Sequence, residues 1–276
     1  MVFRIRFFST LFCLALGLSP VAGHSQESQG WVQGLHSRAR LISGDRKGAD
    51  WLAGFEIALD PGFKTYWRSP GDSGLPPRFD WSGSVNVKAV DIRWPAPTRS
   101  EDATGVSFVY HDAVLLPVLV EAADPEKPVR LALHVEYGIC KDICIPASAD
   151  LSQVLGTPPS QQAAIEAVLR TKVPRQQEIG AKAEPSILSV EPGARDVAGF
   201  TAHLKAPAGS APTLFAEGPD GWYFSTSEPD AQNRVAVKLE EKPADATGPV
   251  SLRLTVVAGE KSAESTVRLD ANGKPR

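Results

Sequence analysis

The chain has 276 residues with 23 Gly, 23 Pro and three Cys, and its 29 Lys and Arg stand against 32 Asp and Glu. Glycine and proline together make about a sixth of it, turn-rich but short of the roughly quarter share of low-complexity chains. The charge balance excludes a nucleic-acid binder built on bulk positive charge, and three cysteines exclude a disulfide-dense scaffold.

Arg4 and Arg6 precede a short apolar run from Phe7 to Leu18, and Ser19-Pro20 breaks it ahead of Val21, Ala22 and Gly23. This order reads as a secretory signal peptide over residues 1–25, cleaved after Gly23 or Ser25. The run falls short of the ~20 residues of a spanning helix and no later run approaches that length. The mature chain is therefore expected to be exported and not itself membrane-spanning. Cys13 leaves with the leader, and Phe12 is too bulky for the small residue that precedes a lipidated cysteine. What remains is an even pair, Cys140 and Cys144, in a compartment that permits disulfides.

Segments 34–43, 52–60, 85–94, 106–121 and 129–137 place apolar residues mostly at every second position. That period is the mark of half-buried antiparallel strands. Pro76, Pro77, Pro95, Pro97, Pro125 and Pro128 fall between the runs, where they cost no ladder hydrogen bond. Pro158-Pro159-Ser160 then introduces QQAAIEAVLRTKV, a helix of about three turns with Ser160 as its N-cap. Residues 174–185 are polar and read as a linker. From Ile187 onward, short alternating runs resume at the density of an immunoglobulin-like sandwich. The expected architecture is all-β, with two modules in tandem. An immunoglobulin-like module spans residues 26–155, a helix and linker 156–184, and a second β-sandwich 185–276. The second holds no cysteine and one histidine, His203, so it is expected to pack, space or dock while the first carries the chemistry.

Cys140 and Cys144 follow a strand ending at Tyr137, with Gly138 and Lys141-Asp142 suited to a tight turn. Three readings compete. A structural staple closing so short a loop would stabilise by only roughly 2 kcal/mol, against ~3 for a 15-residue loop. A soft-metal site, copper or zinc, would enlist His111 or His134, but the second half of a zinc motif is missing and Met1 is the one methionine. Redox exchange suits an exposed, short-loop pair, although Lys141 favours a thiolate while Asp142 opposes it. Ser73 lacks the GxSxG frame of a hydrolase nucleophile.

The strings PGFKTYWRSPGDSGLPPRFDW (61–81), SFVYHDAVLLPV (107–118) and YGICKDICIP (137–146) together resemble the periplasmic N-terminal domain of the DsbD and ScsB family of protein-disulfide reductases. The resemblance covers roughly residues 31–155, with three motifs in the same order. The later region is similar to the second immunoglobulin-like module of the ScsB type. The resemblance implies an exchanging pair, Cys140 and Cys144, with Cys144 forming the mixed disulfide. It also implies an active-site aromatic at Tyr66, an integral-membrane electron transporter as donor, thioredoxin-fold periplasmic oxidoreductases as clients, and no cofactor. Two departures stand out. The cysteines are more closely spaced than in the better-known members, and Glu101-Asp102-Ala103-Thr104-Gly105 offers no aromatic where those members carry a cap. Tyr66 and Trp67 are therefore the candidates for shielding the pair. These residues include neither the transmembrane nor the thioredoxin-like segment of the family, so the chain is expected to borrow both functions or lack them. The rival expectation is a non-enzymatic binding or assembly module with a structural disulfide.

Overall fold

A computed structural model of the chain describes residues 30–276 apart from 49, 103–104 and 194–197. The signal-peptide expectation lies outside the described residues. The first half contributes β1 (Val32–Gln33), β2 (Ser37–Lys47), β3 (Asp50–Leu59), β4 (Lys64–Gly71), β5 (Arg78–Asp80), β6 (Val87–Ile92), β7 (Thr98–Asp102), β8 (Gly105–His111), β9 (Ala113–Ala122), β10 (Arg130–Cys140) and β11 (Cys144–Val154). Helix α1 (Gln162–Thr171) follows. The second half contributes β12 (Arg175–Gln176), β13 (Ser186–Pro192), β14 (Gly199–Lys205), β15 (Thr213–Glu217), β16 (Tyr223–Thr226), β17 (Arg234–Glu241), β18 (Val250–Ala258) and β19 (Lys261–Leu269).

The alternation in the sequence becomes two sandwiches. In the first, one sheet runs β1-β2-β3-β9-β6 and the facing sheet runs β11-β10-β4-β8-β7, with β5 added on β10. Their inner faces interdigitate through Leu41, Phe55, Leu116 and Val118 on one side and Phe108, Leu131, Val135 and Ile139 on the other. Burial of every second residue, as at Leu131, Leu133 and Val135 of β10, is what period 2 requires of a sheet with one covered face. The second sandwich faces β12-β19-β18-β15 against β13-β14-β17-β16. Part of the expected linker joins it, because Arg175 and Gln176 pair in parallel with Ala263 and Glu264.

The helix forms where it was expected, with a different start. Gln161 is the N-cap, and its side chain makes no capping bond. Ser160 lies one residue earlier, accepting from the Gln162 N–H at 3.3 Å and donating to Asp45 at 2.8 Å. The helix is there to cover something: Ile165 is fully buried against Ile42 and Leu52, with Leu115, Leu119 and Leu169 around it. It closes the outer face of the β2-β3-β9 sheet.

The two sandwiches share a boundary built on β4. Trp67 is fully buried in the first core and meets Phe108 and Phe215, the latter from β15, at ring separations of 6.2 and 5.8 Å. Phe108 and Phe215 themselves meet edge-to-face at 4.8 Å. Beside them Arg68 donates to both carboxylate oxygens of Glu217 at 2.8 Å each and to Glu264 at 2.6 Å. Both glutamate side chains are only 10% exposed. Arg68 has its pKa raised: burial opposes the charge, and the bonds and charges of Glu217 and Glu264 outweigh it. A fork held by two carboxylates is the geometry that justifies burying a guanidinium. Two exposed-carboxylate pairs, Arg99–Glu228 at 2.5 Å and Lys172–Glu260 at 2.5 Å, add further links between the halves.

Removing one side of this cluster should be costly because it strands the other. Arg68→Met is expected to lower the unfolding free energy by about 3 kcal/mol, measured by urea titration. Adding Glu217→Gln to that variant should recover part of the loss; if the second substitution costs as much again, the carboxylates are not what Arg68 serves.

Candidate functional site

Strands β10 and β11 form a hairpin whose last register pair is Cys140 with Cys144. The turn is Lys141-Asp142-Ile143, and the two sulfurs are bonded to each other across Cα atoms 4.1 Å apart. The hairpin leaves them in different surroundings. Cys140 is 5% exposed and packs with Tyr66 and Val109, whereas Cys144 is open to solvent. Ile143 between them is 75% exposed. A partner approaching from solvent therefore meets an apolar tip and the Cys144 sulfur.

The alternation of β4 divides the two expected shielding residues. Tyr66 stands on the outer face, and its hydroxyl lies 3.1 Å from Cys144 Sγ. A disulfide sulfur carries no hydrogen, so the phenol is the donor. Burial, and after it the negative charge of Asp102, raises the Tyr66 pKa and keeps that donor protonated. Trp67 turns the other way, into the aromatic cluster with Phe108 and Phe215. Of the two, Tyr66 is the one that makes a bond to sulfur.

Two glycines and a returning loop hold the Tyr66 ring. A Cβ on Gly138 would come within 3.1 Å of the ring and 2.7 Å of Leu75, and a Cβ on Gly74 within 2.5 Å of the ring. Gly74 also has a φ of 151°. The backbone of residues 71–76 thus passes directly over the phenol. Asp72 ties that loop to β8: its backbone N–H donates to the Val106 carbonyl at 2.8 Å, and its side-chain carboxylate accepts from the Val106 N–H at 2.9 Å. The GDSGLPP run has a structural use here as a cover. On the other side, Thr65 Oγ1 donates to the Gly138 carbonyl at 2.8 Å and locks β4 against β10.

Lys64 is the residue that sequence reasoning passed over. It pairs in register with Cys140 on one side and His111 on the other. Its side chain is buried, with Nζ 3.1 Å from Asp102 Oδ2 and 3.3 Å from Ser100 Oγ. The available signal was its position two residues before Tyr66, which puts both on one face of a strand. Nearby, Lys141 lies over the Phe63 ring at 5.7 Å, and Phe63 stacks on His36 at 4.3 Å. Further along the same hairpin, a cleft of about 350 Å³ opens between Leu75, Pro76, Tyr137 and Pro146.

The histidines considered as metal ligands do not gather at the sulfurs. His134 lies on the β10 surface with its Nδ1 2.8 Å from Asp150, whose hydrogen bond raises its pKa. His111 is exposed opposite Lys64. Among the described residues, no group of three or more His, Cys, Asp and Glu could hold a metal ion.

Comparison with known proteins adds a family match over part of the chain and a fold. Residues 38–156 match the family model described as thiol:disulfide interchange protein DsbD, N-terminal. The solved N-terminal periplasmic domain of ScsB from Proteus mirabilis superposes with a TM-score of 0.67 at 21% identity, over 89% of this chain and 98% of that one. A conserved domain protein from Bacillus anthracis covers 87% of this chain and 89% of its own at 9% identity, with a TM-score of 0.21. The tandem immunoglobulin repeats of Dlar cover 84% and 97% at 13% identity, with a TM-score of 0.20. Neither of the last two carries weight at those scores. No curated protein sequence matches.

The cover over Tyr66 is testable. Gly74→Ala should push the loop off the ring, lowering stability by about 1–3 kcal/mol and speeding reduction of the disulfide by dithiothreitol several-fold. Tyr66→Phe keeps the ring and should leave stability within about 1 kcal/mol. Equal reduction rates in Gly74→Ala and the parent would mean that the loop does not govern access.

Proposed function

We propose that this chain, whose residues 38–156 match the DsbD N-terminal family model, is a periplasmic thiol–disulfide interchange protein working through Cys140 and Cys144. It takes electrons from an integral-membrane donor and passes them to thioredoxin-fold oxidoreductases. One observation carries the assignment of roles: the bonded pair is asymmetric, with Cys144 open to solvent and Cys140 buried behind it. Nucleophilic attack on a partner's disulfide needs an accessible sulfur, whereas closing the ring again needs only a neighbour.

In the reduced protein, the Cys144 thiolate attacks one sulfur of the client disulfide, and the other client sulfur leaves as a thiolate. The Cys140 thiolate then attacks Cys144 Sγ, the Cys144–client bond breaks, and the electron pair goes out on the second client sulfur. The client is reduced by two electrons and the Cys140–Cys144 bond is restored. Electrons stay on sulfur throughout, so the exchange itself calls for no cofactor. Tyr66, donating to Cys144 Sγ, would steady that sulfur as it takes up charge, and exposed Ile143 supplies apolar surface at the point of contact.

Trapping tests this directly. Cys140→Ser should accumulate a mixed disulfide through Cys144 with a thioredoxin-fold protein, and Cys144→Ser should not. A Cys140→Ser protein that captures nothing, together with a reduction potential well below about −300 mV for the native pair, would leave a structural staple in place of a redox site.

A further inference from the structure

Burial creates a difficulty for the second half of the exchange. Cys140 is 5% exposed and lies against Tyr66 and Val109, and a thiol in such surroundings is reluctant to ionise. The resolving attack nevertheless requires its thiolate. The same sheet face holds an equally unusual group. Lys64 is 9% exposed, although lysine is almost never buried unless paired. It is the register partner of Cys140, so their side chains leave the same face with Cβ atoms about 5 Å apart.

Resting on the interchange reading above, we propose that Lys64 is a positioning residue for the resolving step, its ammonium favouring the Cys140 thiolate beside it. The charge is held over this face by Ser100 and Asp102 at 3.3 and 3.1 Å. Asp102 both fixes Lys64 and subtracts from its effect. The other titratable groups around the pair are Tyr66 on β4, His111 opposite Lys64 on β8, and Lys141 and Asp142 in the hairpin turn. Lys141 is turned over the Phe63 ring. Lys64 is the buried cation of the set, and burial spares it the solvent screening that weakens surface charges.

The bonds exchanged are those of the resolving step. The Cys140 thiolate attacks Cys144 Sγ, the Cys140–Cys144 bond forms, and the bond from Cys144 to its partner breaks. The departing thiolate takes a proton from water. Lys64 neither gives up a proton nor forms a bond; it makes the attacking charge easier to hold.

Dipyridyl disulfide, a neutral probe, separates the two steps, because the reduced protein should release one pyridinethione on attack by Cys144 and a second on resolution by Cys140. Lys64→Gln is expected to leave the first phase within about twofold and slow the second about tenfold near pH 7, the equivalent of a one-unit change in ionisation. Its second phase should catch up with the parent as pH rises. Lys64→Arg, which keeps the charge, should restore the rate. Asp102→Asn, which removes the opposing carboxylate, should speed the second phase several-fold. A purely structural role predicts slowing in both Lys64→Gln and Asp102→Asn, and that result would overturn the proposal. So would a Lys64→Gln second phase with the parent's rate and pH profile. A parent protein that releases one pyridinethione and stops would overturn the interchange reading and this one with it.

Discussion

Strand β4 is the member on which the rest of the structure depends, because neighbouring residues of it answer to different surroundings. Lys64 and Tyr66 leave its outer face, where Tyr66 reaches Cys144, and Trp67 faces inward to Phe108 and Phe215. Arg68 is gripped by Glu217 and Glu264. A strand cannot shift register by one residue without exchanging its two faces. Here that exchange would put an indole at the disulfide and a phenol in the core. The grip of Glu217 and Glu264, both from the second sandwich, on Arg68 therefore fixes the register of the element that bears the site.

This gives the cysteine-free half of the chain a physical part in holding the site. Phe215 completes the first core, and Glu217 and Glu264 neutralise Arg68 at its edge. Helix α1 does comparable work on the opposite sheet by covering Ile42 and Leu52. With one sheet roofed by a helix and the other backed by a sandwich, the outer face around Cys140 and Tyr66 is the one on which the proposed exchange would take place.

Much of this was legible in the residues. Alternation marks the strands, and the short spacing of Cys140 and Cys144 marks the hairpin end, because both signals are local and depend on period and turn chemistry alone. Tyr66 could be placed by resemblance. What period 2 also implied, but adjacency in sequence concealed, is that Trp67 must point away from whatever Tyr66 touches. Lys64 and Asp102 were hidden for another reason. In sequence a charged residue reads as solvated, and only the fold shows that these two meet across 38 positions at a half-covered face. Gly74 and Gly138 look like ordinary turn residues until the Tyr66 ring is seen lying against both. The contact between the sandwiches left no local trace, since its ion pairs join positions 149 and 196 residues apart.

That last separation has a consequence for how the chain acquires its shape. Synthesis delivers Trp67 and Arg68 long before Phe215, Glu217 and Glu264, the last of them on the final strand. Until residue 217 has emerged, the nascent first sandwich carries Trp67 without Phe215 and Arg68 without either carboxylate, and the second carboxylate waits for residue 264. Contacts so distant in sequence form slowly, and the apolar surface they leave open in the meantime is prone to aggregation. The chain's last strand thus sets the moment at which its first half is finished.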